Sequence, residues 1–416
     1  MSHYSAFAIA RNALSGHRGW EQAWRSPEPK AEYDAIVIGG GGHGLATAYY
    51  LVREHGLTKV AVLEKGWIGG GNTGRNTTII RSNYFYPESA AFYEFSLRQY
   101  EKLSRELNFN IMFSQRGVLV LGHSRHDMEM HRRSANAMRL NGIDADILSR
   151  DEVAKLVPAL DCSPQARFPV WGGMIQRRGG TARHDAVAWA YARASDARGV
   201  DIIQNCEVTG FAIERGRVTG VETSRGTIRS PRVGIAVAGH SSVLAAKAGF
   251  RLPVKSYALQ AMVSEPLKPV LDTVVLSSAT GTYLSQSDKG ELVIGGGLDL
   301  YPSYAQRGNL PVNETTVAGM LAMFPAFSRV RMLRHWGGIC DVVHDSSPII
   351  GATPVEGLYL SCGWGTGGFK AIPAGGFCLA HTMATGRPHA LNAAFGLDRF
   401  TTGALVDEAA AASIPH

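Results

Sequence analysis

AIVIGGGGHGLATAYYLVREHGLTKVAVLEKG, residues 35–66, carries the pattern from which the fold is read. Residues 35–38 are a short, uncharged, β-branched run, the composition of a strand buried on both faces. Three glycines follow as Gly39-x-Gly41-x-x-Gly44, each where a side chain would obstruct. The first permits a tight turn, the second lets a pyrophosphate approach the backbone, and the third lets helix and strand pack closely. The spacing predicts a helix over 45–54, its N-terminus offering unpaired N–H groups to phosphate, and a second strand over 59–63. Glu64 closes the unit; its carboxylate suits a ribose diol and would repel a 2′-phosphate. Such glycines also occur as plain turns, but the strand–helix–strand context specifies a dinucleotide site.

Beyond Glu64, the run Gly69-Gly70-Gly71-Asn72-Thr73-Gly74-Arg75-Asn76 continues the glycine-rich surface. A dinucleotide crossing the sheet would extend there toward its reactive ring. A simple nicotinamide dehydrogenase has no use for that extension, so it points to FAD; the alternative is a surface glycine loop. Short strands at 200–203, 208–211, 218–223 and 227–228 read as a meander turning at Gly216 and Arg225-Gly226. A buried strand from Val233 then enters the turn Gly239-His240-Ser241-Ser242 and a helix. Residues 358–370, LYLSCGWGTGGFK, repeat the design. Gly363, Gly365, Gly367 and Gly368 precede a helix expected near Pro373, whose positive end would stabilise charge on a reduced flavin ring.

The expected class is therefore α/β: a Rossmann-type FAD-binding domain, which resembles the D-amino-acid oxidase/glutathione reductase kind, with an inserted, mostly antiparallel β substrate domain. Residues 33–95, 156–250 and 337–416 are assigned to the first, and 96–155 and 251–336 to the second. Residues 1–32 form an N-terminal arm, extended at Pro27-Glu28-Pro29, whose Trp20 and Trp24 are expected to lie against another polypeptide.

Composition sets the outer limits. A chain of 416 residues is too long for one hydrophobic core, and with 45% hydrophobic and 19% charged residues it has the material for two. No apolar run approaches the roughly 18 residues that span a bilayer. The first thirty residues lack a hydrophobic stretch leading to a small-residue cleavage site, so no secretory leader is expected. The five cysteines contain no CxxC pair, which fits a reducing cytoplasm and no bound metal. A net charge of +7, spread through the chain, favours an anionic cofactor, a carboxylate substrate or an acidic partner over nucleic acid. The run from His335-Trp336 to His344-Asp345 has no zinc spacing and reads as structural. Ser241-Ser242 lacks the hydrolase elbow.

Several longer motifs carry a closer likeness: VLEKGWIGGGNTGRNTTIIRSNY (62–84), FSQRGVL (113–119), RRGGTARHDAVAWAYARA (177–194), LRHWGGICD (333–341) and CGWGTGGFKAIPAGGF (362–377). With the glycine fingerprint, they resemble the β-subunit family of heterotetrameric sarcosine oxidases, within the FAD-dependent amine and amino-acid oxidases that include glycine oxidase and dimethylglycine dehydrogenase. The likeness runs from about Tyr33 to the LDRFTTGALVDE tail. It implies noncovalent FAD and covalent FMN. It also implies α, γ and δ subunits, with NAD and tetrahydrofolate bound by α and zinc by δ. Sarcosine would be oxidised at FAD, electrons would pass to FMN, and oxygen would be reduced there to hydrogen peroxide.

The same resemblance implies roles residue by residue. Arg81 and Lys370 match the family's substrate cations, chemistry suited to a carboxylate, and Thr366 joins them in the catalytic set. FAD contacts are assigned to Gly39, Gly41, Gly42, His43, Gly44, Glu64, Lys65, Asn72, Arg75, Asn76, Thr77 and Ile79, and to Val208, Gly239, Gly363, Gly365, Gly367, Gly368 and Lys370. His43 is read as spacing the turn. His184 matches the histidine that bonds FMN, with Arg183 beside it as the positive group; arginine stands where the family is expected to have lysine, which keeps charge but not easy proton release. The plainer readings are a surface ion pair for either substrate cation, and a helix cap or a bond to Asp185 for His184. Two other functions fit the fingerprint: a single-flavin oxidase or dehydrogenase for glycine, proline or another amino acid, and a noncatalytic flavin-binding subunit.

Overall fold

In the computed structural model, which describes residues 5–18 and 22–408, the run Ala35–Ile38 is a strand with all four residues buried. Its side chains alternate as strand geometry demands: Ala35 and Val37 enter one core, Ile36 and Ile38 the other. The helix that follows runs Gly42–His55 and ends on left-handed Gly56. It begins earlier than the side-chain pattern suggests because Gly41 serves as N-cap and the glycine turn itself winds into the first turn. The second strand, Val60–Leu63, pairs parallel with the first.

These elements sit in a six-stranded sheet ordered Ile349–Ala352, Leu358–Cys362, Val233–Ile235, Ala35–Ile38, Val60–Leu63, Asp201–Ile203. All neighbours are parallel except the edge pair Ile349–Ala352 and Leu358–Cys362. Helices Gly42–His55, His184–Asp196 and Ile372–Thr385 cover one face. The last crosses the first closely, since a Cβ on Gly376 would collide with Ala46. The small sheet of Val208–Glu214, Arg217–Thr223 and Gly226–Arg229, with helix Ser241–Lys247, covers the other face. Residues 201–203, expected to lead into that meander, instead extend the main sheet, with Ala61 opposite Asp201. Non-local pairing with Val60–Leu63 decides this, and no local pattern reports it.

An eight-stranded sheet makes the second layer, in the order Met332–Val343, Val254–Pro266, Glu291–Leu298, Thr282–Gln286, Val274–Ser277, Val118–Gly122, Gly172–Gln176, Asp146–Ser149. Only the Val274–Ser277 and Val118–Gly122 pair is parallel. Its membership crosses the boundaries drawn from sequence. Gly172–Gln176 comes from residues assigned to the FAD-binding part, and the Met332–Val343 strand stays paired with Val254–Pro266 to Val343, beyond 336. Helix Pro87–Glu106 spans the division at 95 and packs on Ile372–Thr385. A two-residue ribbon, Ile79–Ile80 against Gly180–Thr181, stitches the layers together.

In the N-terminal arm, helix Ala6–Leu14 has no buried residue. Trp24, expected against another polypeptide, packs on the chain's own core, and Arg25 ties the arm to Asp196 and the Val200 carbonyl. Trp20 lies outside the described residues. No helix among them is long and apolar enough to cross a membrane.

Candidate active site

The two layers enclose a cavity of about 960 Å³ at the carboxyl ends of the main-sheet strands, where open α/β sheets hold their ligands. Its lining includes Gly39, Gly41, Gly42, His43, Glu64 and Lys65. Asn72, Arg75, Asn76, Thr77, Ile79 and Arg81 form a wall, with Val208 and Gly239 facing it. Gly365, Thr366, Gly368 and Lys370 complete the lining. Residues from five distant segments therefore meet around one space.

The glycine end is built for close approach. Gly39 has a φ of 111°, and a Cβ on Gly44 would overlap the Gly39 carbonyl oxygen, so neither tolerates a side chain. Gly41 differs: a Cβ there would meet only Thr73 Oγ1, at 3.2 Å, and would otherwise fill cavity. Glu64 accepts from the N–H of Gly40 at 2.8 Å and of Gly66 at 2.7 Å, which fixes its carboxylate at the strand end. Gly42 N–H donates to Thr73 Oγ1 at 2.9 Å, joining the two glycine-rich runs.

His43 does more than space the turn. Its Nε2 bonds the Gly368 carbonyl at 2.8 Å, so that nitrogen carries the proton, and its ring stacks on Trp364 at 4.2 Å. Burial pushes its pKa down to about 4. Helix Gly42–His55 is thereby tied to the C-terminal glycine turn. Along the wall, Asn72 accepts from Ile339 N–H at 2.9 Å and donates to the Ile339 carbonyl. Trp336 Nε1 donates to the Arg75 carbonyl at 2.6 Å, and Thr77 bonds the Tyr283 hydroxyl at 3.1 Å. The wall is thus pinned to the eight-stranded sheet.

Arg81 and Lys370 come together at Tyr84. The Arg81 guanidinium lies over the Tyr84 ring, 5.0 Å from its centroid, and donates to Asn83 Oδ1 at 2.7 Å. Lys370 Nζ bonds the Thr366 carbonyl at 3.2 Å and the Tyr84 hydroxyl at 3.4 Å. Neither cation forms a salt bridge among the described residues, and Lys370 is only 5% exposed. Burial, and then the charge of Arg81, hold its ammonium pKa well below the ordinary lysine value. The surface-ion-pair reading fails for both. Two basic groups that converge on Tyr84, neither in a salt bridge among the described residues, suit the carboxylate of a ligand.

Some expected residues stand off the cavity. Gly44 serves helix packing. Gly363 donates its N–H to Asp341 Oδ2 at 2.6 Å, and Gly367 packs on the hydroxyls of Tyr84 and Tyr93. His184 opens helix His184–Asp196 behind the wall: Ala182 N–H donates to the Thr78 carbonyl at 3.2 Å. It neither caps that helix nor bonds Asp185, because Arg183 holds the cap position and grips Asp185, with Nε at 3.0 Å. Burial lowers the His184 pKa, opposed by Asp185 and assisted by Arg183, so the imidazole is held toward its neutral form.

Sequence reasoning missed Asp341, Trp364 and the stacked pair Tyr84–Tyr93, whose rings lie 3.8 Å apart. Asp341 is buried, and burial pushes its carboxyl up to about 7. An acid inside the apolar strand run Ile339-Cys340-Asp341-Val342 was the available signal. The His335–Asp345 run divides among structural tasks: His335 meets Asn313, and Asp345 forms a buried pair with Arg399 at 2.8 Å.

The family profile described as FAD dependent oxidoreductase matches residues 34–382. The chain belongs to this family. The FAD-dependent oxidoreductase is 58% identical over 413 residues to sarcosine oxidase subunit beta of Rhizobium meliloti (strain 1021), covering 99% of each chain. Its identity to the subunit of that name from Rhodobacter capsulatus is 56% over 416 residues, covering all of both chains. Among solved structures, L-proline dehydrogenase from P. horikoshii superposes with a TM-score of 0.85 at 26% identity, covering 91% of this chain and all of the other. The residues present fit FAD. Gly41 leaves the space a pyrophosphate needs, Glu64 stands at the ribose position, and the cavity continues from there to the two cations.

Proposed function

We propose that this flavoenzyme oxidises sarcosine, N-methylglycine, as the catalytic β subunit of a four-subunit assembly in the cytoplasm. When bound, FAD supplies the acceptor for a hydride from the carbon beside the substrate nitrogen. The chain's own residues bind and orient. Arg81 grips the carboxylate with its planar fork, Lys370 adds a second charge-assisted bond, and Thr366 borders the same space. Holding the carboxylate at the Tyr84 end fixes the reacting carbon toward the rest of the cavity. The observation that carries the reading is the convergence of Arg81 and Lys370 on Tyr84, neither in a salt bridge among the described residues.

His184, with its imidazole held toward neutrality by burial, is the proposed attachment point for FMN, since attachment requires an uncharged ring nitrogen. FMN would relay electrons to oxygen and yield hydrogen peroxide. The partner subunits in this reading are α, γ and δ, with NAD and tetrahydrofolate on α and zinc on δ. The high identity to named β subunits supports the assembly, and the free cysteines support the reducing compartment.

Anaerobic addition of sarcosine to the assembled protein tests the central claim. The expected result is bleaching of the flavin absorption, slowed by roughly a hundredfold or more in Arg81→Ala, equivalent to about 3 kcal/mol. Normal bleaching in that variant would remove Arg81 from the site, and no bleaching of wild type by any secondary amino acid would remove the activity.

A further inference from the structure

Lys370 stands in a place that disfavours its ammonium. Its amine is buried, its two hydrogen-bond partners are a carbonyl and a tyrosine hydroxyl, and its nearest charged neighbour is Arg81. A lysine so placed prefers to be an uncharged amine. An amino acid arrives as a zwitterion, and its ammonium cannot assist hydride departure until its nitrogen recovers a lone pair.

We infer that Lys370 stands uncharged in the resting site and takes the ammonium proton of the bound amino acid. This deepens the amine-oxidation reading and rests on it. One N–H bond of the substrate ammonium breaks, its electron pair stays on the substrate nitrogen, and the proton forms a third N–H bond at Lys370 Nζ. No outside reactant is required. The transfer delivers two needs at once: a free amine beside the carbon to be oxidised, and a lysine ammonium against the substrate carboxylate. The unfavourable proximity of two cations, Arg81 and Lys370, then exists only while an anion lies with them.

The titratable groups around Lys370 are Arg81, Tyr84, Tyr93 on helix Pro87–Glu106, Cys340 and Asp341 on Met332–Val343, His43, and Glu408, which is 5% exposed beside a small chamber shared with Arg81, Cys340 and Thr366. The tyrosines are pushed upward by burial and keep their protons. Asp341 and Glu408, also pushed upward by burial, are the rival proton acceptors.

Methoxyacetate separates these possibilities, because it offers the carboxylate without an ammonium. Its binding to the FAD-loaded assembly is measured by titration calorimetry at pH 8.5 in two buffers of different ionisation enthalpy, which gives the protons exchanged. The expected result is uptake of about one proton by wild type, since the anion recharges Lys370 from solvent. Glu408→Gln and Asp341→Asn keep that uptake. Lys370→Arg, permanently charged, binds with none. Binding by wild type without uptake overturns the proposal while leaving the carboxylate site intact. So does uptake that persists in Lys370→Arg or vanishes in Glu408→Gln or Asp341→Asn. A wild type that does not bind methoxyacetate overturns the carboxylate site itself, and the inference with it.

Discussion

At the scale of single residues, His43 shows how a side chain inside a cofactor motif can serve the fold. Its Nε2–H donates to the Gly368 carbonyl and its ring stacks on Trp364, and burial, working against that hydrogen bond, keeps the ring neutral down to about pH 4. The unfolded chain takes up the proton near the ordinary value of 6.5. Between those limits the unfolded state binds more protons, so this contribution to stability is full above 6.5 and lost as pH falls toward 4. The slope reaches about 1.4 kcal/mol per pH unit, or about 3 kcal/mol over the window. His43→Gln keeps a donor for the Gly368 carbonyl and removes the titration. Urea midpoints measured from pH 7 to pH 4 are expected to fall less steeply in the variant than in wild type; parallel curves would show that His43 is not buried as a neutral ring. Tyr84, by contrast, was on the page in the motif ending SNY, yet its meeting with Lys370 joins residues 286 apart in sequence, and no local pattern encodes that.

At the scale of elements, the glycine turn separates two demands that the sequence pattern presents as one. Gly44 is required by the protein alone, because its Cβ would enter the Gly39 carbonyl; Gly41 faces open cavity and is required by what binds there. Gly44→Ala is therefore expected to reduce folded yield and lower the apoprotein melting temperature by several degrees, as overpacking of about 1–3 kcal/mol does. Gly41→Val is expected to leave the apoprotein melting temperature unchanged and to abolish FAD retention through gel filtration. Equal loss of stability in the two variants would contradict this division. The strand Ala35–Ile38, the glycines and the return of residues 358–370 were legible because each depends on residues adjacent in the chain. The placement of Asp201–Ile203 in the main sheet and of Gly172–Gln176 in the other was not, because a short apolar strand carries no mark of its partner. The sheet exchange around residues 95, 156 and 337 has the same origin: helix Pro87–Glu106 buries residues against helix Ile372–Thr385, a surface that exists only after folding.

For the whole molecule, the decisive feature is that the wall of residues 72–81 stands between two chemically different places. On one side is the cavity with Arg81 and Lys370; behind it, joined through the Ile79–Ile80 and Gly180–Thr181 ribbon, is the start of helix His184–Asp196. His184 and Arg183 do not line the cavity, so a group attached at His184 is separate from the substrate while still close to the wall. That arrangement divides the reading into two parts that fail independently. His184→Ala, produced with the partner subunits, is expected to retain FAD and to bleach anaerobically with sarcosine at a rate within about twofold of wild type, since no contact of Arg81 or Lys370 is altered. Its peptide spanning residues 177–194 should lack the mass of one FMN that the wild-type peptide carries, and its sarcosine-dependent oxygen consumption should fall to background. If the wild-type peptide carries no such mass, the attachment site is wrong while substrate oxidation stands; if the variant no longer bleaches, His184 belongs to the substrate side of the wall and the two-sided arrangement is refuted.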